Sequence, residues 1–344
     1  MAFQPDWRNL QDAAYNRQPK RLPLYEHIIC VPVMEKILDV KFGGLRESDK
    51  PAFFKQYCQF FMKMGYDTVS FENCVTDILP GGGALGGHKK GVIQTQEDFD
   101  RYPWDKLEDI YFSTFSADFD ALREAMPSGM KAIGGVGNGV FECVQDLVGY
   151  MDLCYLSEDD PDLYRDLFSR MGKTLSSIWQ RFLREFGDIY CVCRFGDDLG
   201  FKSTTLLRPE DIRSLIIPQY RAVIQEVHEA GKPFLLHCCG NIFNIMDDLL
   251  GAGIDAKHSN EDQIAPFPVW VDRYGDKIGN FGGIDTDAVC RLEEKGMRPY
   301  IENVVEKCIG HGGFAFGSGN SIPEYVPPGQ FLMMNRIIRS LRDE

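Results

Sequence analysis

Short apolar runs alternate with stretches of helical periodicity along most of this 344-residue chain. Apolar runs bounded by turn residues are typical of buried strands, and apolar positions three and four residues apart are typical of amphipathic helices. The pattern predicts eight strands, at residues 22–30, 68–72, 131–136, 189–195, 233–239, 254–259, 278–283 and 313–317. Eight alternating strand–helix units predict an α/β fold, a (β/α)8 TIM barrel.

The segments between the predicted strands indicate how the chain is divided. Residues 210–230 and 243–252 have helical periodicity and end before Gly231 and Gly253, as helices commonly do. Residues 81–104, which begin with three glycines, predict an extended loop. No Pro- or Ser-rich linker interrupts the chain, so we expect a single domain over residues 1–344.

Composition narrows the class of protein. Hydrophobic residues make up 44% and charged residues 26%, close to the usage of ordinary globular proteins. The formal net charge of -14 would repel a nucleic-acid backbone or an anionic membrane surface. No run approaches the ~18 apolar residues of a membrane span. We therefore expect neither nucleic acid nor membrane as a partner.

Cysteine usage and the amino terminus predict a cellular compartment. The eleven cysteines are odd in number and irregularly spaced, unlike a secreted disulfide scaffold. The first seven residues lack the basic start and apolar core of a signal peptide. A reducing cytoplasm is the expected location. The sequence does not fix the oligomeric state and leaves a homodimer open.

The most informative chemistry lies at the end of the fifth predicted strand. His237 and Cys239 stand at positions i and i+2 of an apolar run, so their side chains should share one face of the strand and converge. Imidazole and thiolate are ligands that Zn²⁺ favours, and a strand end facing a cleft leaves an open coordination position. The alternative is that these residues only complete a core strand.

Further polar residues follow the other predicted strands, where a barrel places its reactive groups. Any one of them could serve as a helix cap or turn former, so the inference depends on their collective position. They are Glu72, Asn73, Asn138, Asp197, Asp198, His258, Asn260, Glu261, Asp285, Ser318 and Asn320.

Individual interpretations follow from the alternation of side chains along a strand. Asp198 is expected to enter the pocket and Asp197 to act as an outward cap. Cys238 should pack among helices, and His258 is interpreted as structural. His88 lies on the glycine-rich loop, where it could close over a substrate; the alternative is a surface loop without a role.

Several segments together resemble the uroporphyrinogen decarboxylase superfamily, especially its corrinoid- and coenzyme-M-linked methyltransferase branch. The resemblance extends from about Asn138 to the carboxyl terminus and implies a (β/α)8 barrel with its pocket at the carboxyl ends of the strands. The segments are Asp-Asp-Leu-Gly at 197–200, Arg-Pro-Glu at 208–210, His-Cys-Cys-Gly at 237–240, Leu-Leu-Gly-Ala-Gly-Ile-Asp at 249–255, Gly-Gly-Ile-Asp-Thr at 282–286, and residues 317–327.

Within that superfamily the decarboxylases look less similar. Their amino-terminal Arg-Gln-Ala-Gly-Arg stretch meets a substrate with many carboxylates, whereas residues 24–30 read Leu-Tyr-Glu-His-Ile-Ile-Cys. Their His-Gly near the last strand is replaced by Ser318-Gly319. A uroporphyrinogen decarboxylase-type lyase of tetrapyrrole biosynthesis, without metal, remains the alternative, and a non-catalytic tetrapyrrole- or corrinoid-binding protein is a third.

The resemblance to the methyltransferases implies a zinc site with an altered third ligand. That branch uses His-x-Cys as two ligands, matching His237 and Cys239, and usually a Cys in a Gly-Cys-x-Ile-Pro segment as the third. Here Asn320 stands in that position. We expect a carboxylate to complete the set, Glu261 first, with Glu72 and Asp285 as further candidates. Alternatively the metal is lost, or it binds only when substrate supplies a ligand.

The expected function is a metal-dependent methyl transfer, in either direction, between a small methylated or methoxylated compound and a corrinoid or a thiol. The corrinoid would be carried by a separate protein, because no segment resembles the cobalt-binding Asp-x-His-x-x-Gly motif. O-demethylation is one form of this reaction. The expected catalytic residues are Glu261, Asp198 and Asp285, the substrate-binding residues Glu72, Asn138, Asn320 and His88, and the metal ligands His237, Cys239 and Glu261.

Overall fold

A computed structural model describes residues 3–87 and 89–342. Its centre is one parallel sheet whose strands are hydrogen-bonded in chain order. The strands are β1 (Thr68–Cys74), β2 (Lys131–Gly137), β3 (Tyr190–Gly196), β4 (Phe234–His237), β5 (Ala256–His258), β6 (Gly279–Ile284) and β7 (Phe314–Ser318). They confirm seven of the eight predicted strands and the TIM-barrel-like fold.

Helices connect successive strands and cover the outside of the sheet. No helix within the described ranges is long and apolar enough to cross a membrane. The first eight are α1 (Arg8–Ala14), α2 (Val31–Leu38), α3 (Leu45–Ser48), α4 (Lys50–Lys63), α5 (Gln96–Arg101), α6 (Leu107–Ala125), α7 (Val140–Val148) and α8 (Tyr150–Asp159). The others are α9 (Pro161–Phe186), α10 (Pro209–Asp211), α11 (Ile217–Glu229), α12 (Met246–Ala252), α13 (Phe267–Tyr274), α14 (Thr286–Arg291), α15 (Glu294–Cys308) and α16 (Pro328–Ser340).

The first predicted strand is wrong as a regular element, although its residues occupy a strand's place in the ring. Residues 22–30 are joined to the β7 side by isolated parallel bridges, Leu24 with Phe316 and Ile29 with Ile322. No backbone hydrogen bond joins residues 22–30 to β1 in the described part of the chain. Pro23 lacks a donor N–H, which weakens a ladder at this point. We call residues 22–30 the closing segment.

Two further details depart from the predicted helices and loop. The predicted helix at 210–230 is interrupted by a π-helical turn, Ile212–Ile216, between α10 and α11. Pro218, in the first turn of α11, cannot donate to an earlier carbonyl, and a π turn accommodates that loss. The predicted loop at 81–104 contains α5, which Thr95 and Asp98 begin with a reciprocal capping box.

The core has an outer and an inner layer. The outer layer lies between the sheet and the surrounding helices and contains most of the buried aromatic side chains. The inner layer groups residues at the lower end of the barrel, among them Leu10, Ala13, Leu235 and Phe281. Because α1 supplies Leu10 and Ala13, it plugs the end of the barrel opposite the strands' carboxyl ends. That plug leaves the carboxyl ends as the open mouth.

Candidate metal and substrate site

His237 and Cys239 converge at the mouth of the barrel. His237 is the last residue of β4 and pairs in register with Gly196 of β3 and His258 of β5. The Sγ atom of Cys239 lies 3.4 Å from Nε2 of His237. Cys238, between them, is fully buried in the outer core layer, which confirms that it packs among helices. The alternation of the strand therefore places imidazole and thiol together on the mouth side.

Asp198 is the carboxylate beside this pair. Its Oδ1 atom accepts a hydrogen bond of 2.8 Å from the backbone N–H of Cys239 and lies 3.9 Å from Nε2 of His237. One ligand atom from each of Asp198, His237 and Cys239 lies within 4.8 Å of the others. Zinc bonds of ~2.0–2.3 Å require ligand atoms roughly 3.5 Å apart, so small side-chain adjustments suffice. The donor set, one imidazole, one thiol and one carboxylate, fits a zinc ion with an open position.

His258 fixes the tautomer of His237. Nε2 of His258 lies 3.0 Å from the carbonyl oxygen of Ser318, which can only accept, so this nitrogen carries the proton. Nδ1 of His258 is then an acceptor in the neutral ring, and the Nδ1 atom of His237 donates to it over 2.7 Å. The lone pair of His237 is therefore on Nε2, the atom that faces Cys239 and Asp198. This is the outer-shell arrangement that orients metal-binding histidines.

Burial keeps both rings neutral, as metal ligation requires. Burial lowers the pKa of His258 to about 3, and it lowers the pKa of His237 well below its usual value. The neighbouring His258 adds to the second shift. Burial also raises the pKa of the Cys239 thiol far above its usual value, and the charge of Asp198 adds to this shift. A bound cation would reverse the shift at the thiol, since metal coordination favours thiolate.

A second group of three histidines does not make a zinc site. Ligand atoms of His27, His237 and His258 also lie within 4.8 Å of one another. However, the rings of His27 and His237 stack with centroids 3.7 Å apart and an interplanar angle of 4°. Ring nitrogen lone pairs lie in the ring plane, so two parallel stacked rings direct them side by side instead of toward one ion. His27 therefore acts as a packing surface for His237.

Two polar side chains surround the thiol. Nδ2 of Asn320 donates to Sγ of Cys239 over 3.4 Å, and Oγ of Ser259 donates to the same sulfur over 3.4 Å. Ser259 has a φ of 101°, a left-handed conformation that is rare and strained for a residue with a side chain. Strain of this kind persists where the surroundings fix the backbone. Both donors favour the charged form of the sulfur.

Asp197, the neighbour of Asp198 in sequence, binds the start of α7. The carboxylate of Asp197 accepts from the backbone N–H groups of Phe141 and Glu142, at 3.0 and 2.8 Å, and from the hydroxyl of Tyr220 at 2.6 Å. Asp197 thus caps the first turn of α7, which confirms its interpretation as an outward cap. Burial nevertheless raises the pKa of Asp197 to about 7.

Asn138 reaches the site through Glu142. Its Nδ2 donates to Glu142 over 2.7 Å, and the backbone N–H of Asp198 donates to the same carboxylate at 3.3 Å. Its Oδ1 accepts from the backbone N–H and the hydroxyl of Thr76. Asn138 is therefore engaged on both sides by the protein and supports the position of Asp198.

A cavity of about 500 Å³ opens beside Cys239. Asn320 belongs to its wall and touches the cysteine sulfur, so the cavity adjoins the candidate ligand Cys239. Glu261 and Asp285 line it as well. Glu261 is not among the residues whose ligand atoms group around His237. Asp198 is the carboxylate whose oxygen lies near the ligand atoms of His237 and Cys239, whereas Glu261 belongs to the cavity wall.

Asp285 and Glu72 are held by other contacts. Asp285 caps α14, where Oδ1 accepts from the N–H of Asp287 at 2.7 Å, and its Oδ2 accepts from the N–H of Asp262 at 2.7 Å. Glu72 binds the fully buried Arg194, whose Nε and Nη2 both donate to it at 2.9 and 2.7 Å. Glu72 therefore neutralises a buried cation below the mouth. His88 lies outside the described residues.

Sequence reasoning missed four residues of this environment. Arg194 interrupts the apolar strand Tyr190–Gly196, and a lone cation inside a buried strand was a signal. Glu26 and His27 lie in the closing segment, and both are buried. Glu142 lies in a helix with ordinary periodicity, so nothing in the sequence distinguished it from a surface residue.

Comparison with solved structures finds the same fold in other proteins. A methyltransferase from Methanosarcina mazei superimposes with a TM-score of 0.71 at 13% identity, covering 97% of this chain and 98% of that one. A putative vitamin-B12 independent methionine synthase from Listeria monocytogenes gives 0.54 at 15% identity, over 94% and 99%. A B12-independent methionine synthase from Shewanella sp. W3-18-1 gives 0.54 at 13% identity, over 87% and 90%. At these identities the likeness establishes the fold alone.

Comparison of the sequence with family models and with curated proteins gave different outcomes. No curated protein matched. The family model for uroporphyrinogen decarboxylase (URO-D) matches residues 86–341, which are most of the chain and include strands β2 to β7. The chain therefore belongs to the uroporphyrinogen decarboxylase (URO-D) family.

Proposed function

We propose that this protein is a zinc-dependent methyltransferase. It would move a methyl group between a small methylated or methoxylated compound and a corrinoid or thiol. The observation that carries the proposal is the grouping of His237, Cys239 and Asp198 at the barrel mouth, with the Nε2 lone pair of His237 directed at the other two. A pure decarboxylase of a polycarboxylate has no use for this arrangement.

The fold comparisons support this proposal through the functions of the similar proteins. A methyltransferase and two B12-independent methionine synthases share the fold over most of their length. Family membership alone would also allow a decarboxylase. The carboxylate-rich cavity argues against that alternative, since a substrate with many carboxylates needs cationic partners.

His237, Cys239 and Asp198 would hold the zinc, which when bound supplies a Lewis acid that keeps a thiol as thiolate or polarises the heteroatom bearing the methyl group. His258 holds His237 in the tautomer that exposes Nε2. The side chain of Asp198 is 44% exposed, so the site opens toward solvent on the side of this carboxylate. A small molecule can approach from there.

The remaining residues position the reactants. Asn320 and Ser259 donate hydrogen bonds at the cysteine sulfur and would orient it. Glu261 and Asp285 face the cavity, where the small molecule would lie. For transfer to or from a corrinoid, we propose that a separate corrinoid-carrying protein docks over the barrel mouth.

The test begins with metal analysis of protein purified without chelator. We expect about one zinc per chain, and a loss of zinc on His237→Ala and on Cys239→Ala. His228→Ala and Cys308→Ala are matched controls, because His228 bonds to Asp255 just before β5 and Cys308 ends α15 before β7 begins, both away from the mouth. A screen of methoxylated aromatics, methylamines and methanol with cob(I)alamin, followed by its visible spectrum, then identifies the donor.

Two results would contradict the proposal. One is a zinc content that is negligible or unchanged in the two site variants relative to the controls. The other is efficient decarboxylation of uroporphyrinogen by metal-free protein.

A further inference from the structure

Three carboxylates belong to the polar wall of the cavity beside Cys239. These are Glu261, Asp285 and Asp287, and Lys202 is the one cationic side chain that the described residues contribute to the lining. The cavity is large enough for a compact organic molecule, at about 500 Å³. Its charge therefore bears on the class of molecule that can enter.

Glu261 is the carboxylate available to a ligand. Asp285 already accepts two backbone hydrogen bonds, and Asp287 faces Arg291 at 3.3 Å. The side chain of Glu261 has no hydrogen-bond or ion-pair partner within residues 3–87 and 89–342. A half-buried carboxylate without a partner gains most from a cationic ligand group, because the surrounding protein screens the pair less than bulk water does.

The cations near the site already have partners within the protein. Arg194 is fully buried and paired with Glu72. Nζ of Lys257 donates to the carbonyl oxygen of Ser259 and lies 3.7 Å from the ring centroid of Trp270. Lys202 is exposed, and its Nζ lies 3.2 Å from Gln263. Lys257 also interacts electrostatically with Glu261, but no buried Lys or Arg side chain of the described residues belongs to the cavity wall, where it could receive a carboxylate or sulfonate group.

Resting on the proposed function, we propose that the small molecule bound beside Cys239 carries an ammonium group that contacts Glu261. The reactive heteroatom would lie toward Cys239 and Asn320, and the cation toward Glu261, within the same cavity. Small molecules bearing a carboxylate or sulfonate near the reactive atom are excluded by the same charges. The substrate class is thus an aminothiol, or a methylated or methoxylated amine.

Two thiols of similar size test this charge preference on the zinc-loaded protein. Cysteamine presents an ammonium and 3-mercaptopropionate a carboxylate, and calorimetry at pH 7 and low salt gives both affinities. Because the two thiols also differ in intrinsic acidity, the readout is their affinity ratio in each protein variant. We expect Glu261→Gln to lower the preference for cysteamine by about tenfold, the size of one close charge pair. Glu97→Gln, on the exposed face of α5, is the control and should keep the wild-type ratio.

Each outcome decides a different statement. If both thiols bind and the ratio is the same in wild type and Glu261→Gln, the ammonium contact is wrong while zinc-dependent thiol binding stands. The same holds if 3-mercaptopropionate is the tighter ligand of wild-type protein. If neither thiol binds the zinc-loaded protein, this inference fails, whereas the proposed function is still decided by the zinc analysis and the donor screen.

Discussion

At the scale of single residues, His258 sets the tautomer of His237 through the position of one proton. It donates from Nε2 to the Ser318 carbonyl and accepts at Nδ1, so His237 has to present Nε2 to the proposed metal site. We predict that His258→Ala lowers zinc affinity by roughly 10- to 100-fold, because outer-shell partners of metal-binding histidines have effects of that size. Competition with a chromophoric chelator measures the affinity.

His228→Ala is the control for this measurement. His228 also bonds to an acceptor, Asp255 at 2.7 Å, but on the outside of the barrel. An unchanged zinc affinity in His258→Ala would show that the ring orientation of His237 does not depend on this neighbour.

Glu26 is a second residue whose protonation state affects the protein, in this case its stability. Oγ of Ser318 lies within hydrogen-bond distance of both the Asn320 carbonyl oxygen and Oε2 of Glu26. One hydroxyl proton can serve only one of these acceptors, so the contact favours a protonated Glu26. Burial correspondingly raises the pKa of Glu26 to about 8.

This pKa predicts how Glu26 affects stability as pH changes. The native state keeps a proton that the unfolded chain releases near pH 4.5, so the stability linked to Glu26 is complete below that pH and is lost as pH rises toward 8. The slope is at most about 1.4 kcal/mol per pH unit. Glu26→Gln, which keeps a donor toward Ser318, should flatten the decline of the unfolding free energy from pH 5 to 8. Equal pH profiles for the two proteins would contradict the assignment.

Residue identities were predictable from sequence only where alternation decided them. His237 and Cys239 follow from their i, i+2 spacing, and Asp197 and Asp198 from their adjacency. The carboxylate beside His237 and Cys239 was not predictable, because Asp198 and Glu261 follow different strands and only the assembled barrel decides which of them lies near His237. Likewise His258 looked merely structural, since its proton donation to Ser318 joins residues 60 positions apart.

At the scale of elements, side chains of α9 pack closely against a glycine of β2. A Cβ on Gly135 would lie 2.9 Å from Phe182 and 3.1 Å from Trp179, and its φ of 122° is unfavourable for any side chain. We predict that Gly135→Ala destabilises the protein by at least about 2 kcal/mol, combining overpacking and backbone strain. Denaturant unfolding measures the change.

Gly251 provides the matched control for this prediction. It lies within α12, and nothing lies within 4 Å of a Cβ placed there. Gly251→Ala should therefore stabilise by about 0.5–1 kcal/mol through helix propensity. If both substitutions change stability alike, close packing at Gly135 is not what limits it.

Element types were predictable and element details were not. Apolar runs located β1 to β7 because each is buried on both faces, which gives a continuous signal. The π turn before Pro218 accommodates the missing N–H of that proline. A hydrophobic pattern read over about 20 residues does not resolve such a single turn. Capping by Thr95 and Asp98 likewise begins α5 within what looked like a loop.

At the scale of the whole molecule, the closing segment completes the ring through one tight approach. A Cβ on Gly317 would overlap the carbonyl oxygen of Tyr25. We predict that Gly317→Ala forces the closing segment away from β7, lowering stability by several kcal/mol and increasing proteolytic cleavage in residues 22–30. Gly44→Ala, with open space around the new Cβ, is the control and should leave both measurements near wild type.

The sequence indicated eight strand-like runs, and the described residues form seven strands joined by six ladders, with one bridging segment. The difference arises because an apolar run indicates burial. The closing segment is buried, but it forms only isolated bridges on the β7 side and no backbone pairs with β1. Barrel closure is a property of the assembled ring, so no local pattern could reveal it.

The one-sided attachment of the closing segment has a thermodynamic consequence. On the β1 side its contacts include the Ser70 hydroxyl donating to the carbonyl of His27, without backbone pairing. His27 in turn stacks on His237. An ion that immobilises His237 should therefore restrain His27 and reduce local opening between the closing segment and β1. Zinc should slow amide hydrogen exchange in residues 22–30, none of which binds it. By reciprocity, a change that loosens the contact between the closing segment and β1 should weaken zinc binding.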